Sequence, residues 1–283
     1  MSDTVPEYRD CPFVRFDGAR LHYRIHGERG FPLLLLHGLT QTNFTWSGNV
    51  AALSRVARVV AVEYLALGDR RAGLGHGYGL NNLARGIVTV MDHLGIERAD
   101  FAGNSLGGGL ALGIAAQFPQ RVRRLVLINP AAYPTHWPLE LGILNVPLLG
   151  EMIMLLLPPV WFGRMTVAHC WSKRSEAAEP FLRHCAEILH SRVGRMAMLE
   201  ATRGMMPRNV GRHVRLYHGI RAPTLIIWGG RDRLLSSRTA RRLSRQLPHA
   251  RLRVLSQAAH AAQEQFSDEV NRMMTDWLAS AQP

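Results

Sequence analysis

Short, nearly continuous apolar runs alternate along this chain with stretches whose apolar residues recur every three or four positions. The runs fall at residues 32–36, 59–62, 101–102, 125–128 and 224–228, with a weaker one at 252–255. A strand with one wet face alternates apolar and polar residues; a run without alternation fits a strand buried on both faces, as in a parallel sheet. Ahead of them, residues 14–16 and 21–25 do alternate, and Asp17-Gly18 between them is a hairpin signal. Leu83, Ile87, Val90, Met91 and Leu94 lie at helical spacing, as do Ala240, Leu243 and Leu247. Val270, Met273, Met274, Trp277 and Leu278 form a third stripe, read as core packing, with Ser267 the expected N-cap. Strands alternating with helices predict an α/β fold, with a mostly parallel, doubly wound sheet and crossover helices.

One region breaks the alternation. Residues 134–218 show no clear buried strand, only an apolar stretch at 141–157, Val160-Trp161-Phe162, and helical patches such as 181–189. That is too long for a loop, so it reads as a helical insertion between two strands. The expected organisation is therefore a core in two parts, 1–133 and 219–283, with a helical cap at 134–218.

Composition narrows the picture. A chain of 283 residues, 47% of them apolar, accommodates one large α/β domain carrying an insertion. The N-terminus lacks a basic segment followed by an apolar one, so no secretory signal is expected. Glu140, Glu151, Pro147, Pro158 and Pro159 interrupt the most apolar stretch, which excludes a spanning helix there. Cys11, Cys170 and Cys185 are too few for a disulfide framework and fit a reducing cytoplasm. His169-Cys170 and His184-Cys185 are neighbours that point different ways on a helix, so no metal site is expected. Net charge is +13 and Lys173 is the only lysine, so the charge is nearly all arginine, dispersed but densest at 231–253. It reads as a solvated basic face. A nucleic-acid partner is not expected, and attraction to anionic lipid is the lesser reading. Nothing in the sequence indicates an oligomeric state.

The chemistry lies in three places. Gly103-Asn104-Ser105-Leu106-Gly107 is G-x-S-x-G, set between an apolar run and a helix predicted at 110–118. In that context a serine sits on a strained strand-to-helix turn, its Oγ lifted off the sheet at a helix N-terminus. Side chains at Gly103 and Gly107 would clash there. With the elbow stands Leu36-His37-Gly38-Leu39 after an early strand. The run Pro223–Asp232 ends Trp228-Gly229-Gly230-Arg231-Asp232, and Ala259-His260 precedes the last helix.

Over residues 13–279 the chain resembles the capped α/β-hydrolase superfamily. The resemblance implies a serine hydrolase with Ser105 as nucleophile, Asp232 as acid and His260 as base, in the family's chain order. It also implies that the backbone N–H groups of Leu39 and Leu106 hold the oxyanion, with His37 structural. Some relatives place the acid one strand earlier; here that strand ends in Asn129, not a carboxylate. Glu63, at the end of the run 59–62, is the rival acid, with a structural role preferred. The segment 63–70 departs from the family's usual D-x-P-G-x-G-x-S, and Ala259 replaces a usual glycine.

The expected reaction is cleavage of an apolar, medium-sized carboxylic ester through an acyl-enzyme, with no cofactor or metal. Trp137, Trp161 and Phe162 are the expected walls of a greasy channel under the cap. Asn104 before Ser105 resembles carbon–carbon bond hydrolases of ring-cleavage pathways. Those usually carry G-P-G-A after His-Gly, where this chain has Thr40-Gln41-Thr42-Asn43. The alternatives are that reaction, or a ligand-binding or biosynthetic protein with a vestigial triad.

Overall fold

The computed structural model describes residues 10–39, 41–65, 77–133, 142–172, 178–190, 192–204 and 214–280. Trp137 and most of the atypical segment 63–70 lie outside them. Eight strands form one sheet: β1 (Phe13–Phe16), β2 (Ala19–His26), β3 (Phe31–Leu36), β4 (Ala57–Glu63), β5 (Ala99–Asn104), β6 (Val122–Ile128), β7 (Thr224–Gly229) and β8 (Ala250–Leu255). Their order is β1-β2-β4-β3-β5-β6-β7-β8. β1 and β4 run antiparallel to β2, and all other pairs are parallel. The architecture is the one predicted, a mostly parallel, doubly wound sheet between layers of helices.

The apolar runs lack alternation because both faces of the sheet are covered. Leu34, Leu36, Val60, Val62, Leu127 and Trp228 pack into one core. Helices α2 (Leu80–His93), α3 (Leu106–Gln117) and α8 (Ser237–Gln246) contribute to that core. Leu33, Leu35, Val59, Ala61, Val126 and Ile227 enter the other, with α1 (Ser47–Leu53) and α10 (Ser267–Ala279). The weaker run at β8 is the sheet edge, where Val254 is exposed. Asp17 and Gly18 make the predicted turn with φ of 51° and 84°, closing Phe16 on Ala19. Ser267 is not the N-cap of α10. The short helix α9 (Ala262–Gln265) leads into it, and Phe266 takes the cap position.

Between β6 and β7 the described residues form no strand but include four α-helices of eight residues or more and the 3-10 helix Tyr217–Gly219. The four are α4 (Leu149–Leu156), α5 (Pro159–Cys170), α6 (Ala178–Leu189) and α7 (Arg192–Gly204). β4 lies on one side of β3 and β5 on the other. At such a reversal doubly wound sheets hold ligands, in the crevice beyond the carboxyl ends of the flanking strands, here β3 and β5. His37 follows β3, and Ser105 follows β5.

The terminal helix is tied to the sheet by one buried cation. Arg124 of β6 donates from Nη1 to the carbonyls of Trp277 (2.7 Å) and Leu278 (2.8 Å), and from Nη2 to that of Ser280. These are carbonyls that the end of α10 leaves without intrahelical donors. Arg124→Met keeps the stem's packing and removes these donors, while the Trp277 carbonyl keeps its bond from Ser280 Oγ (2.8 Å). The substitution is expected to cost about 2–3 kcal/mol, read as a lower urea midpoint with an unchanged slope. An unchanged midpoint would show that solvent serves those carbonyls equally well.

Candidate active site

Ser105 holds φ 53° and ψ −115°, a left-handed conformation that a side chain disfavours. The surroundings enforce it. The Ser105 N–H donates to Ile128 C=O (3.0 Å), and its own carbonyl accepts from Gly109 (3.0 Å) and Ala131 (2.8 Å). The flanking glycines permit the turn. A Cβ on Gly107 would lie 2.1 Å from the Leu36 carbonyl oxygen, and one on Gly103 would lie 2.3 Å from that of Gly107. The side chain of this serine is thereby presented at the crevice, partly exposed amid buried neighbours. Leu106, one predicted oxyanion donor, is the first residue of α3, where backbone N–H groups lack intrahelical acceptors. Leu39, the other, is buried in the turn closed by Gln41 N–H on Gly38 C=O (3.3 Å).

His260 and Asp232 meet directly. His260 Nδ1 lies 2.8 Å from Asp232 Oδ2, and both side chains are buried. With Nδ1–H donated to a carboxylate, Nε2 carries the lone pair a base needs. Oδ1 of Asp232 accepts the N–H groups of Leu234 (2.8 Å) and Leu235 (2.9 Å). Burial pushes the Asp232 carboxyl up. The charge and hydrogen bond of His260, the Leu235 N–H and Asn129 more than offset this and hold it below the usual carboxylate range. The Asn129 contact is close: its amide donates to Oδ2 at 2.5 Å while its oxygen accepts Gly229 N–H at 3.1 Å. Sequence reasoning noted Asn129 only as a missing carboxylate.

Asn104 joins the elbow to the histidine, donating to the carbonyls of both Ile128 and His260 (3.1 Å each). Glu63 stands elsewhere. Its carboxylate faces His37 Nε2 at 2.9 Å and accepts Asn43 N–H at 3.3 Å. His37 Nδ1 faces Gly38 C=O at 2.8 Å, and its ring stacks on Tyr64. Both Glu63 and His37 thus hold the loop from beneath, as the sequence suggested.

A second polar chain escaped sequence reasoning. Gly38 N–H donates to Gln41 Oε1 (3.0 Å), and Gln41 Nε2 donates to Glu264 (2.8 Å). Thr45 donates to the same Glu264 oxygen (2.5 Å). The loop that bears Leu39 is thereby fastened to α9, four residues past His260. The only signal was a carboxylate in the short Ala261-Ala262-Gln263-Glu264-Gln265 segment just after His260. The insertion is fastened to the same loops. His184 of α6 bonds Thr42 and stacks on Phe44, and Cys170 C=O accepts Ala261 N–H (3.0 Å). Burial holds the His184 imidazole down at about 4, Glu63 opposing and His37 and Arg24 assisting.

Of the expected channel walls, Phe162 is buried. Trp161 is not: it is 63% exposed, because adjacent positions on α5 are turned about 100° from one another, and it corrects that expectation.

Burial of Glu264, opposed by the Thr45 hydrogen bond, raises its carboxyl to about 7. Since the folded value lies above the unfolded one, its contribution to stability is complete below about 4.5 and is lost as pH rises through 7. Glu264→Gln is therefore expected to gain on the parent by up to about 3 kcal/mol between pH 5 and pH 8, measured by urea unfolding. A pH-independent difference would mean that Glu264 ionises freely in the fold.

Residues 32–152 match the model of the alpha/beta hydrolase fold family. The chain is 31% identical to the 2-hydroxymuconate semialdehyde hydrolase of Pseudomonas putida, over 93% of this chain and 92% of that one. It is 30% identical to the dihydrolipoyllysine-residue acetyltransferase component of the acetoin cleaving system of the same species, over 92% of this chain and 67% of that one. The enol-lactonase of Burkholderia xenovorans LB400 superposes with a TM-score of 0.79 at 23% identity, over 95% of this chain and 100% of that one.

Proposed function

Because the chain belongs to the α/β-hydrolase superfamily, whose members similar to it include hydrolytic enzymes, we propose that it is a serine hydrolase acting on an apolar carboxylic ester. The observation that carries this reading is the buried His260–Asp232 pair at 2.8 Å, tied through Asn104 to a serine in strained elbow geometry. His260 Nε2 removes the Ser105 proton as Oγ attacks the carbonyl. The oxyanion is received by the N–H groups of Leu39 and Leu106, each worth about 3 kcal/mol to such a transition state. His260 then protonates the leaving alcohol. Water, deprotonated by the same imidazole, releases the acid and restores Ser105. Asp232 fixes the imidazole tautomer and stabilises its cation.

A second reading, carbon–carbon bond cleavage, is favoured by the similarity to 2-hydroxymuconate semialdehyde hydrolase and by Asn104. Such a substrate carries a carboxylate that needs a cation near the serine. Two arginines of α7 are already engaged within the insertion, Arg195 by backbone carbonyls and Arg203 by Glu151 and Leu144. That engagement favours the ester. Expression in the cytoplasm, and the absence of any cofactor requirement, are parts of the same proposal.

Two measurements test it. Ser105→Ala is expected to stay folded, lose labelling by a fluorophosphonate and lose turnover of p-nitrophenyl esters; retained turnover overturns the nucleophile. A ring-cleavage dienoate assayed beside the esters separates the two reactions. Asp232→Asn is expected to cut turnover by roughly 10⁴-fold, as in the serine-protease case, while Glu63→Gln acts chiefly on stability. If only the Glu63 variant loses turnover, the acid has been misassigned.

A further inference from the structure

Among the described residues, nine of the thirteen exposed large apolar side chains lie between Val146 and Trp161. Leu148 (77%), Leu156 (74%), Trp161 (63%) and Met152 (54%) are the most open. Single exposed leucines are ordinary; a contiguous group marks a surface that something covers. The group occupies α4, the residues flanking it and the start of α5; the two helices meet at a bend of 104°. No helix among the described residues is long and apolar enough to cross a membrane. α4, about 12 Å long at 1.5 Å per residue, has the dimensions of a segment that lies in an interface.

The bend is held in shape from within. Arg195 Nη1 donates to the carbonyls of Met154 (2.8 Å), Leu155 (2.8 Å) and Leu157 (3.0 Å), while its Nε donates to Leu189 C=O (2.6 Å). Two turns along α7, Arg203 donates to Leu144 C=O (2.9 Å) and pairs with both oxygens of Glu151 (2.6 and 3.0 Å). The exposed face is therefore built rather than frayed.

Charge indicates what covers it. Glu151, the acid on α4, is neutralised by Arg203, and no Asp or Glu occurs from Met152 to His169. Arg164 is exposed one turn beyond Val160-Trp161, and Arg192 is exposed one turn before Arg195. An apolar patch with a cationic fringe suits an anionic lipid surface, with arginines reaching the headgroups and Trp161 at the boundary. A second copy of a chain with net charge +13 is repelled from it. The face also communicates with the site: α5 begins beside Trp161 and ends at Cys170, which holds Ala261 next to His260.

We propose that the α4–α5 bend is a membrane-docking surface that seats the protein on an anionic bilayer, with Leu156, Met152 and Trp161 entering the headgroup–acyl boundary. Docking then brings the crevice to the phase in which apolar esters concentrate; that last step alone rests on the ester-hydrolase reading.

The test is flotation of the full-length Ser105→Ala protein with equimolar phosphatidylcholine–phosphatidylglycerol vesicles and with phosphatidylcholine alone. Binding is expected to the mixed vesicles and weaker binding to the neutral ones. Met152→Ser/Leu156→Ser, and separately Trp161→Ser, are expected to lower the bound fraction roughly tenfold, with unchanged circular dichroism and melting temperature. No flotation, or equal flotation of parent and variants, overturns the proposal. So does a dimer in lipid-free sedimentation that the same substitutions dissolve, since a second copy would then cover the face. Turnover of a soluble short-chain ester by the Ser105 protein is read separately. Its absence alongside vesicle binding would defeat the ester reading and leave docking standing.

Discussion

The contact between Gly107 and the end of β3 is the constraint on which the site depends. The helix after Ser105 rests directly on the Leu36 carbonyl, closer than any Cβ permits. That proximity forces the left-handed turn at Ser105 and starts α3 beside it. It also brings the loop after β3 within reach of the first N–H groups of α3. A looser crossing would separate the two predicted oxyanion donors, which belong to segments 67 residues apart in the chain (39 and 106). The strain at one residue is tolerated because the whole sheet over-determines it.

Around that fixed point the polar groups divide into two kinds. The Asp232 carboxylate is ringed by donors, so burial leaves it charged. Glu264 is buried more completely and receives fewer donors, and burial prevails. At Asp232 the charge and hydrogen bond of His260, with the surrounding donors, make the difference. It assigns a permanent charge to the histidine's partner and a conditional one to the brace behind the oxyanion loop.

The architecture was legible from the chain because strands covered on both faces leave runs such as 33–36 and 59–62, and little else does. The proposed triad was read for a similar reason: an elbow needs glycines at fixed offsets, and a family resemblance then points to an acid and a base. The contacts of Gln41, Asn129 and His184 were not legible. Each joins residues more than 100 positions apart through a single side chain that leaves no periodicity. The outward turn of Trp161 was hidden because an apolar stretch on a short helix does not declare which side meets solvent. The N-cap of α10 was missed because a four-residue helix before it carries no pattern of its own.

The Asn129–Asp232 pair suggests how a buried charge facing a histidine migrates between strands in a lineage. Asn129 sits at φ 44°, a conformation that asparagine and aspartate accept better than other side chains. The ends of β6 and β7 thus form adjoining seats, one amide and one carboxylate, related by exchanges of equal shape. Moving the charge passes through a form with two carboxylates. Held this close, they would share a proton and leave one negative charge for the imidazole. Relocation of the acid from one strand to its neighbour then requires no rebuilding of the backbone, only a passage through a shared proton.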